Sequence, residues 1–83
     1  MLQSFMKLKV KIGNETRQLV AGIADQYTPE EMPGKRIIVL VNLKPAKIKG
    51  IESQGMLLAA VGEGDKLALL TVDRDIEDGV EVC

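Results

Sequence analysis

The sequence IIVLVNLKPAKIKGIESQGMLLAA, at residues 37–60, is the stretch from which the organisation of the whole chain can be worked out. Its first part, residues 37–41, is an unbroken apolar run rich in β-branched side chains, which predicts a strand buried on both faces. A loop with three lysines and a polar Ser-Gln-Gly corner follows, and residues 56–61 are apolar again. Because binding residues often lie on loops that a rigid scaffold positions, we expect this central stretch to contain both the core and the site.

The segment before the central stretch has the signals of a hairpin and a helical turn. Residues 6–12 alternate apolar side chains with three lysines, which predicts a strand with one solvated face. The Gly-Asn pair after it predicts a tight turn and a return strand at about residues 16–23. The sequence Thr-Pro-Glu-Glu at residues 28–31 has the order of a capping box, and a Pro-Gly pair ends that helical turn.

The segment after the central stretch predicts a second hairpin. A Gly-Glu-Gly-Asp cluster joins residues 56–61 to residues 67–72, and both arms are apolar. The acidic segment 73–79 is predicted to be irregular, and alternation at residues 80–82 predicts a last short strand. Many short strands with one helical turn indicate a small β-barrel or sandwich, in a single domain that comprises all 83 residues.

Size and composition limit how such a domain is stabilised. The core of an 83-residue domain is marginal, and disulfides, metals or oligomerisation often supplement it. Cys83 is the only cysteine and there is no histidine, so oligomerisation is the supplement that we expect. A lone cysteine fits a reducing, cytoplasmic compartment, and the first residues lack the apolar run of a signal peptide. No segment approaches the roughly 20 apolar residues that span a bilayer.

Charge is distributed unevenly along the chain, although the net charge is only −1. Residues 32–51 contain five basic residues and no acidic one, whereas residues 52–83 contain eight acidic residues and two basic ones. This pattern predicts one basic face that contacts an anion and an opposite face that repels it.

The residue types argue against catalysis. A chain without histidine lacks the usual general base for a serine or cysteine nucleophile. The adjacent carboxylates at 30–31 and 77–78 are explained more simply as a helix cap and a solvated tail. Asp73 and Asp75 have the chemistry to hold a hard cation, but a plain acidic loop accounts for them as well. We therefore expect no enzymatic activity, no metal site and no cofactor.

A longer motif runs through the central stretch. It consists of Asn-Leu-Lys-Pro-Ala-Lys at 42–47, a glycine at 50, Ser-Gln-Gly-Met at 53–56 and Leu-Ala-Ala at 58–60. This motif resembles the signature of the tRNA-binding OB-fold domains. These domains occur at the C-terminus of many methionyl-tRNA synthetases, in free-standing dimeric tRNA-binding proteins and in endothelial-monocyte-activating polypeptide. The flanking segments are similar to the same family, so the resemblance covers nearly the whole chain.

The resemblance implies an all-β OB-fold, a five-stranded Greek-key barrel with one short helical turn, that binds tRNA by its shape, commonly as a dimer. The family pattern begins with a further strand, and only residues 1–5 precede the first strand here. We therefore expect an N-terminally truncated barrel with unpaired strand edges, which are templates for pairing with another chain. Either the chain is a fragment, or a partner such as a second copy fills the gap.

The predicted tRNA-binding residues lie in the basic span and its polar corner. By the resemblance, Asn42, Lys47, Ser53 and Met56 fall on motif positions, whereas Lys44 and Lys49 fall on positions that vary within the family. The full predicted set is Lys35, Arg36, Asn42, Lys44, Lys47, Lys49, Ser53, Gln54 and Met56.

Each part of this set has a structural alternative. The lysines of the loop either keep it soluble or bind phosphate, and the absence of nearby acids along the sequence favours phosphate. Ser53 either closes a turn with its hydroxyl or, with Gln54, donates to the RNA backbone. Met56 is either core filler or an apolar contact for RNA. Because Phe5 and Tyr27 are the only aromatic residues, base stacking is scarce, which favours a folded RNA over a single strand.

Two functions therefore remain open from the sequence. One is a tRNA-binding module in the cytoplasm that is appended to methionyl-tRNA synthetase or associates with it. The other is a dimeric protein-interaction or chaperone-like OB-fold module that uses apolar strands and an unpaired edge. Salt separates the two, because phosphate binding weakens steeply as salt rises and apolar association does not.

Overall fold

The computed structural model of the chain describes residues 4–83. It confirms the small all-β OB-type fold with one short helical turn, which here is a 3₁₀ turn at Pro29–Glu31. The strands found between residues 4 and 83 are β1 (Met6–Ile12), β2 (Glu15–Ala21), β3 (Val39–Leu40), β4 (Ala46–Ile48), β5 (Ile51–Ser53), β6 (Met56–Leu57), β7 (Ala59–Val61) and β8 (Leu67–Leu69).

The strands form four antiparallel pairs, which are β1 with β2, β3 with β6, β4 with β5 and β7 with β8. One backbone hydrogen bond links β2 to the corner between β5 and β6, and another extends the β3–β6 pair by one residue on each strand. The Gln54 N–H donates to the Gln18 carbonyl at 2.7 Å, and the Leu58 N–H donates to the Ile38 carbonyl at 3.0 Å. Within residues 4–83, β1 pairs with β2 alone, so its other edge carries no strand in this part of the chain.

The first hairpin confirms the prediction from alternation and turn chemistry. The register pairs Met6 with Ala21 and Ile12 with Glu15, which leaves a two-residue turn. Gly13 in that turn has φ 62°, a left-handed conformation that glycine adopts without a steric penalty. The return strand is Glu15–Ala21 rather than the predicted 16–23.

The core is centred on β2 and not on the central stretch. Leu19 and Ala21 are almost completely buried, and Met6 and Leu57 pack against them from β1 and β6, while Val20 is buried on the other face of β2. Burial of such side chains is the main favourable contribution to the stability of a domain of this size. β2 therefore lies at the centre of the core, in contact with β1, β5 and β6.

The prediction that residues 37–41 form a strand buried on both faces is wrong. Only Val39–Leu40 form a strand, and Leu40 and Val41 are 40% and 39% exposed. The physical reason is that β3 pairs with β6 on one side only, and no second strand pairs with it among the described residues. An apolar run identifies a potential core strand, but the chain must also supply elements that cover both of its faces.

The apolar segment 56–61 also differs from the single strand that was predicted. It divides into β6 and β7 at Leu58, whose N–H donates to the Ile38 carbonyl and whose carbonyl accepts from the Leu70 N–H at 3.1 Å. Leu58 thus connects two different strand pairs. The hairpin of β7 and β8 is confirmed, although its second arm is Leu67–Leu69 instead of 67–72.

The chain after β8 contains no strand within residues 70–83, so the strand predicted at residues 80–82 is wrong. Val80 and Val82 are exposed, and this segment pairs with no strand among the described residues. The capping box is confirmed, since the Thr28 N–H donates to Oε2 of Glu31 at 2.8 Å. No helix among the described residues is long and apolar enough to cross a membrane.

Candidate nucleic-acid interface

Three of the predicted lysines lie on one segment, residues 42–53, which we call the lysine hairpin. It begins where β3 has ended, contains β4 and β5, and returns to the barrel at the Ser-Gln-Gly corner. Lys49 and Gly50 form its tip with φ values of 53° and 79°, as in the type I′ turns that suit a two-residue hairpin loop. Lys44, Lys47 and Lys49 are all exposed.

The ammonium groups of these lysines are available to a ligand. No ion pair involves Lys44, Lys47 or Lys49 in the part of the chain that the structure describes. Glu52 lies opposite Lys47 in the hairpin register, but the two side chains are not bonded. The Nζ of Lys49 lies 5.7 Å from the centroid of the Phe5 ring. The hairpin therefore presents three cations and one nearby acid to solvent.

The Ser-Gln-Gly corner has a structural role that the sequence left open. Ser53 is buried, and its Oγ accepts from the Val20 N–H at 3.0 Å and donates to the Gly55 carbonyl at 2.8 Å. The Oε1 of Gln54 accepts from the Gln18 N–H at 2.9 Å. The structure therefore favours the alternative in which both side chains bind the protein itself.

Gly55 explains why this corner needs glycine. It is buried with φ 154°, and a Cβ at this position would lie 2.7 Å from the Leu40 carbonyl oxygen and 3.2 Å from Cδ2 of Leu19. The backbone of the corner thus passes directly against β3 and the core. Met56, the next residue, is half-buried in β6 opposite Leu40, and Asn42 is exposed at the start of the lysine hairpin.

Arg36 and Lys35 lie in different surroundings from the lysine hairpin. The Nη1 of Arg36 pairs with Oδ1 of Asp75 at 2.7 Å and donates to the Ile76 carbonyl at 2.6 Å, and its Nε lies 3.8 Å from Oδ1 of Asp78. The acidic tail therefore already neutralises Arg36. Lys35 is exposed, and its Nζ lies 5.8 Å from the centroid of the Tyr27 ring.

Arg17 is a residue of this region that sequence reasoning missed. Its Nη1 donates to the Val41 carbonyl at 2.8 Å and to the Gln54 carbonyl at 3.0 Å, and its Nε pairs with Oε1 of Glu15 at 3.0 Å. The sequence contained a signal, because Arg17 and Leu19 are two positions apart and therefore lie on the same face of β2. A charged side chain on an apolar face needs hydrogen-bond partners there, and these partners lie at the two ends of the lysine hairpin.

The surface beside the lysine hairpin offers both charged and apolar groups to a ligand. No group of three or more His, Cys, Asp or Glu residues that could hold a metal occurs among residues 4–83. An open cleft of about 370 Å³ lies beside the lysine hairpin, between Arg17 and the apolar side chains of Val41, Leu43 and Pro45. The surface thus combines exposed cations with a shallow and partly apolar depression.

Comparison with known proteins gives these features a context. A family model described as a putative tRNA binding domain matches residues 2–81. The chain is 60% identical over 77 residues to the methionine–tRNA ligase of Caldanaerobacter subterraneus subsp. tengcongensis, an alignment that covers 93% of this chain and 12% of the ligase. It is 53% identical over 81 residues to the methionine–tRNA ligase of Archaeoglobus fulgidus, with 98% of this chain and 12% of the ligase covered. The chain therefore spans about 12% of the length of these curated relatives.

Solved structures include two similar proteins. The MetRS related protein from Pyrococcus horikoshii superimposes with a TM-score of 0.87 at 48% identity, over 99% of this chain and 75% of that one. The chaperone CsaA from Bacillus anthracis superimposes with a TM-score of 0.89 at 26% identity, over 95% of this chain and 76% of that one. These matches confirm the resemblance that the motif at residues 42–60 predicts.

Proposed function

This chain belongs to the family of putative tRNA-binding domains, and from that premise we propose that it is a non-catalytic domain that binds folded tRNA through its lysine hairpin. The observation that carries the proposal is the hairpin itself, which presents Lys44, Lys47 and Lys49 to solvent without ion pairs among the described residues. Lysines placed in this way neutralise phosphates and release the counterions condensed on RNA.

The remaining predicted residues take different roles in this proposal. Asn42 is exposed at the start of the lysine hairpin and extends its surface, half-buried Met56 supplies an apolar edge, and Lys35 is an exposed cation outside the hairpin. Arg36 contributes only when phosphate replaces the carboxylates of the acidic tail. Ser53 and Gln54 act through the backbone that they support.

The scarcity of aromatic residues favours recognition of the shape of the RNA over recognition of its sequence. The domain has only Phe5 and Tyr27, a lysine lies near each ring, and the Tyr27 hydroxyl accepts a hydrogen bond from the Leu69 N–H at 3.0 Å. Stacking platforms for unpaired bases are therefore scarce. Contacts to phosphates and 2′-hydroxyls of a folded RNA remain, so several unrelated tRNAs should bind with similar affinity.

The first test removes the hairpin charges. Replacing Lys44, Lys47 and Lys49 by alanine should weaken tRNA binding, and the slope of log K against log salt should fall by up to about three units if each lysine contacts one phosphate. Stability should change little, because exposed charges contribute little to folding. A mobility-shift or filter-binding titration at several salt concentrations measures both the affinity and the slope.

The matched control removes the same charge elsewhere. Lys7, Lys9 and Lys11 are exposed on β1, and their replacement by alanine lowers the net charge equally. The control variant should retain most of the affinity and the salt slope. Equal weakening by both variants would mean that net charge, and not the hairpin, drives binding.

We further propose a cytoplasmic role beside methionyl-tRNA synthetase, either as an appended domain or as a partner. Its support is the similarity to a short part of two methionine–tRNA ligases and to a MetRS related protein. Such a domain raises the affinity of the synthetase for tRNA by adding a second binding module, since linked modules act at a high effective concentration.

A second candidate function is protein association as a homodimer with a chaperone-like role. The observations that favour it are the β1 edge without a second strand among the described residues, the exposed apolar side chains of Leu40, Val41 and Val61, and the similarity to CsaA. An unpaired edge is a template for a second chain, and a two-fold arrangement is the commonest closed solution. Light scattering at micromolar concentration in high salt should then report a dimer, and a compact monomer of about 9 kDa would contradict it.

A further inference from the structure

We infer that Arg17 is a positioning residue for tRNA binding, because one guanidinium group holds both ends of the lysine hairpin. The inference rests on the proposed function of that hairpin. The hairpin leaves the barrel after Val41 and returns at Gln54, and Nη1 of Arg17 donates to both carbonyls, at 2.8 and 3.0 Å. These residues are far apart in sequence from Arg17, so local structure alone does not form these contacts.

Arg17 is itself fixed in orientation. Its Nε pairs with Oε1 of Glu15 at 3.0 Å, two residues earlier on the same strand. Because the guanidinium is planar, fixing Nε also fixes the direction in which Nη1 points. The Arg17 side chain is 26% exposed, its bond to the Gln54 carbonyl is partly buried, and its bond to the Val41 carbonyl lies at the surface.

The end of the hairpin next to Val41 depends on Arg17 more than the end next to Gln54 does. At the Gln54 end, Gln18 adds three bonds: its Nε2 donates to the Glu52 carbonyl at 2.8 Å, its N–H donates to Oε1 of Gln54, and its carbonyl accepts from the Gln54 N–H. Residues 42–45 have no hydrogen-bond partner among residues 4–83, and the bond from Arg17 to Val41 directly precedes them.

Loss of the guanidinium should therefore free the segment that carries Lys44 and loosen the whole hairpin. RNA would then have to order this backbone on binding, and ordering one residue lowers affinity by about fivefold to thirtyfold. Arg17 also lines the open cleft beside the hairpin, so direct contact with RNA is the competing explanation that the experiment must separate.

A double-mutant cycle separates the two explanations. Arg17→Met keeps the apolar stem and removes the guanidinium, and tRNA affinity is measured with native lysines and with Lys44, Lys47 and Lys49 replaced by alanine. We expect a weakening of about fivefold to thirtyfold in the first background and none in the second, where no hairpin charge remains to be positioned. Additive losses would show that Arg17 contacts RNA itself and would overturn the inference.

A control variant and the behaviour of the lysine variant distinguish failure of the inference from failure of the proposed function. Arg74→Met removes an exposed arginine between two aspartates of the tail and should leave affinity unchanged. If the lysine variant weakens binding and Arg17→Met does not, the inference alone is overturned. If the lysine variant binds as the parent does, the proposed function fails, and the inference fails with it.

A second measurement needs no RNA. Trypsin cleaves after Lys47 and Lys49, and in Arg17→Met this cleavage should accelerate relative to cleavage after Lys66 in the turn between β7 and β8. Equal acceleration at both places would indicate general destabilisation and would overturn the inference. Arg17→Lys is the variant to use if Arg17→Met does not fold. A lysine there retains a cation but loses the planar fork, so it should give a smaller acceleration in the same direction.

Discussion

Replacing Ser53 by alanine separates the two roles that the sequence allowed for its hydroxyl. The side chain is 3% exposed and bridges the Val20 N–H and the Gly55 carbonyl, both of which are buried. Alanine would leave the Val20 N–H buried without a partner, which costs about 1–3 kcal/mol. In a domain of this size each kcal/mol lowers Tm by about 4–8 °C, so a loss near the middle of that range lowers Tm by roughly 8–16 °C.

The assay is thermal unfolding followed by circular dichroism, together with a tRNA titration at a temperature where both proteins are folded. Ser4→Ala is the matched control, because the Ser4 side chain is exposed, and its Tm should be unchanged. We expect Ser53→Ala to bind tRNA nearly as well as the parent while it unfolds at a lower temperature. An unchanged Tm with clearly weaker tRNA binding would refute the argument and assign the hydroxyl to RNA.

Three further substitutions probe the corner, the barrel and the hairpin. Gly55→Ala should destabilise the fold by roughly 2 kcal/mol, measured by urea unfolding, because the new Cβ meets the Leu40 carbonyl oxygen at 2.7 Å and backbone cannot move aside easily. Tyr27→Phe removes the acceptor of a β8 backbone N–H and should cost about 1 kcal/mol in the same assay. Glu52→Gln removes the acid opposite Lys47 and should tighten tRNA binding by about twofold at low salt; unchanged or weaker binding would mean that Lys47 lies outside the contact surface.

Features determined by neighbouring residues could be predicted from the sequence. The β1–β2 hairpin and the capping box at residue 28 are both confirmed, because turn chemistry and capping depend on residues that are adjacent in the chain. The hairpin of β7 and β8 was predicted for the same reason, although its second arm is shorter than expected. The tRNA-binding family was predicted from the motif at residues 42–60 and is confirmed.

Features that depend on distant partners could not be predicted. The run at residues 37–41 has the composition of a buried strand, yet no second strand covers β3 within the described chain. Arg36 lies in an acid-free stretch of sequence, but it forms ion pairs with Asp75 and Asp78, which come from about forty positions later. The local sequence pattern contains neither outcome, because burial and ion pairing depend on which distant residues the fold places next to a side chain.

Residues 42–56 of the motif comprise one part that is exposed to solvent and another that packs against the core. Asn42 and Lys47 are exposed, whereas Ser53 and Gly55 are buried and Gln54 bonds to β2. Under the proposed function, rigid support matters for this hairpin, because a lysine that must be ordered on binding has a lower affinity for phosphate. The corner and Arg17 supply this support from the barrel side. Under the proposed function, the motif meets two requirements, cations at the surface and a corner that fixes their backbone, and each requirement needs different residue types.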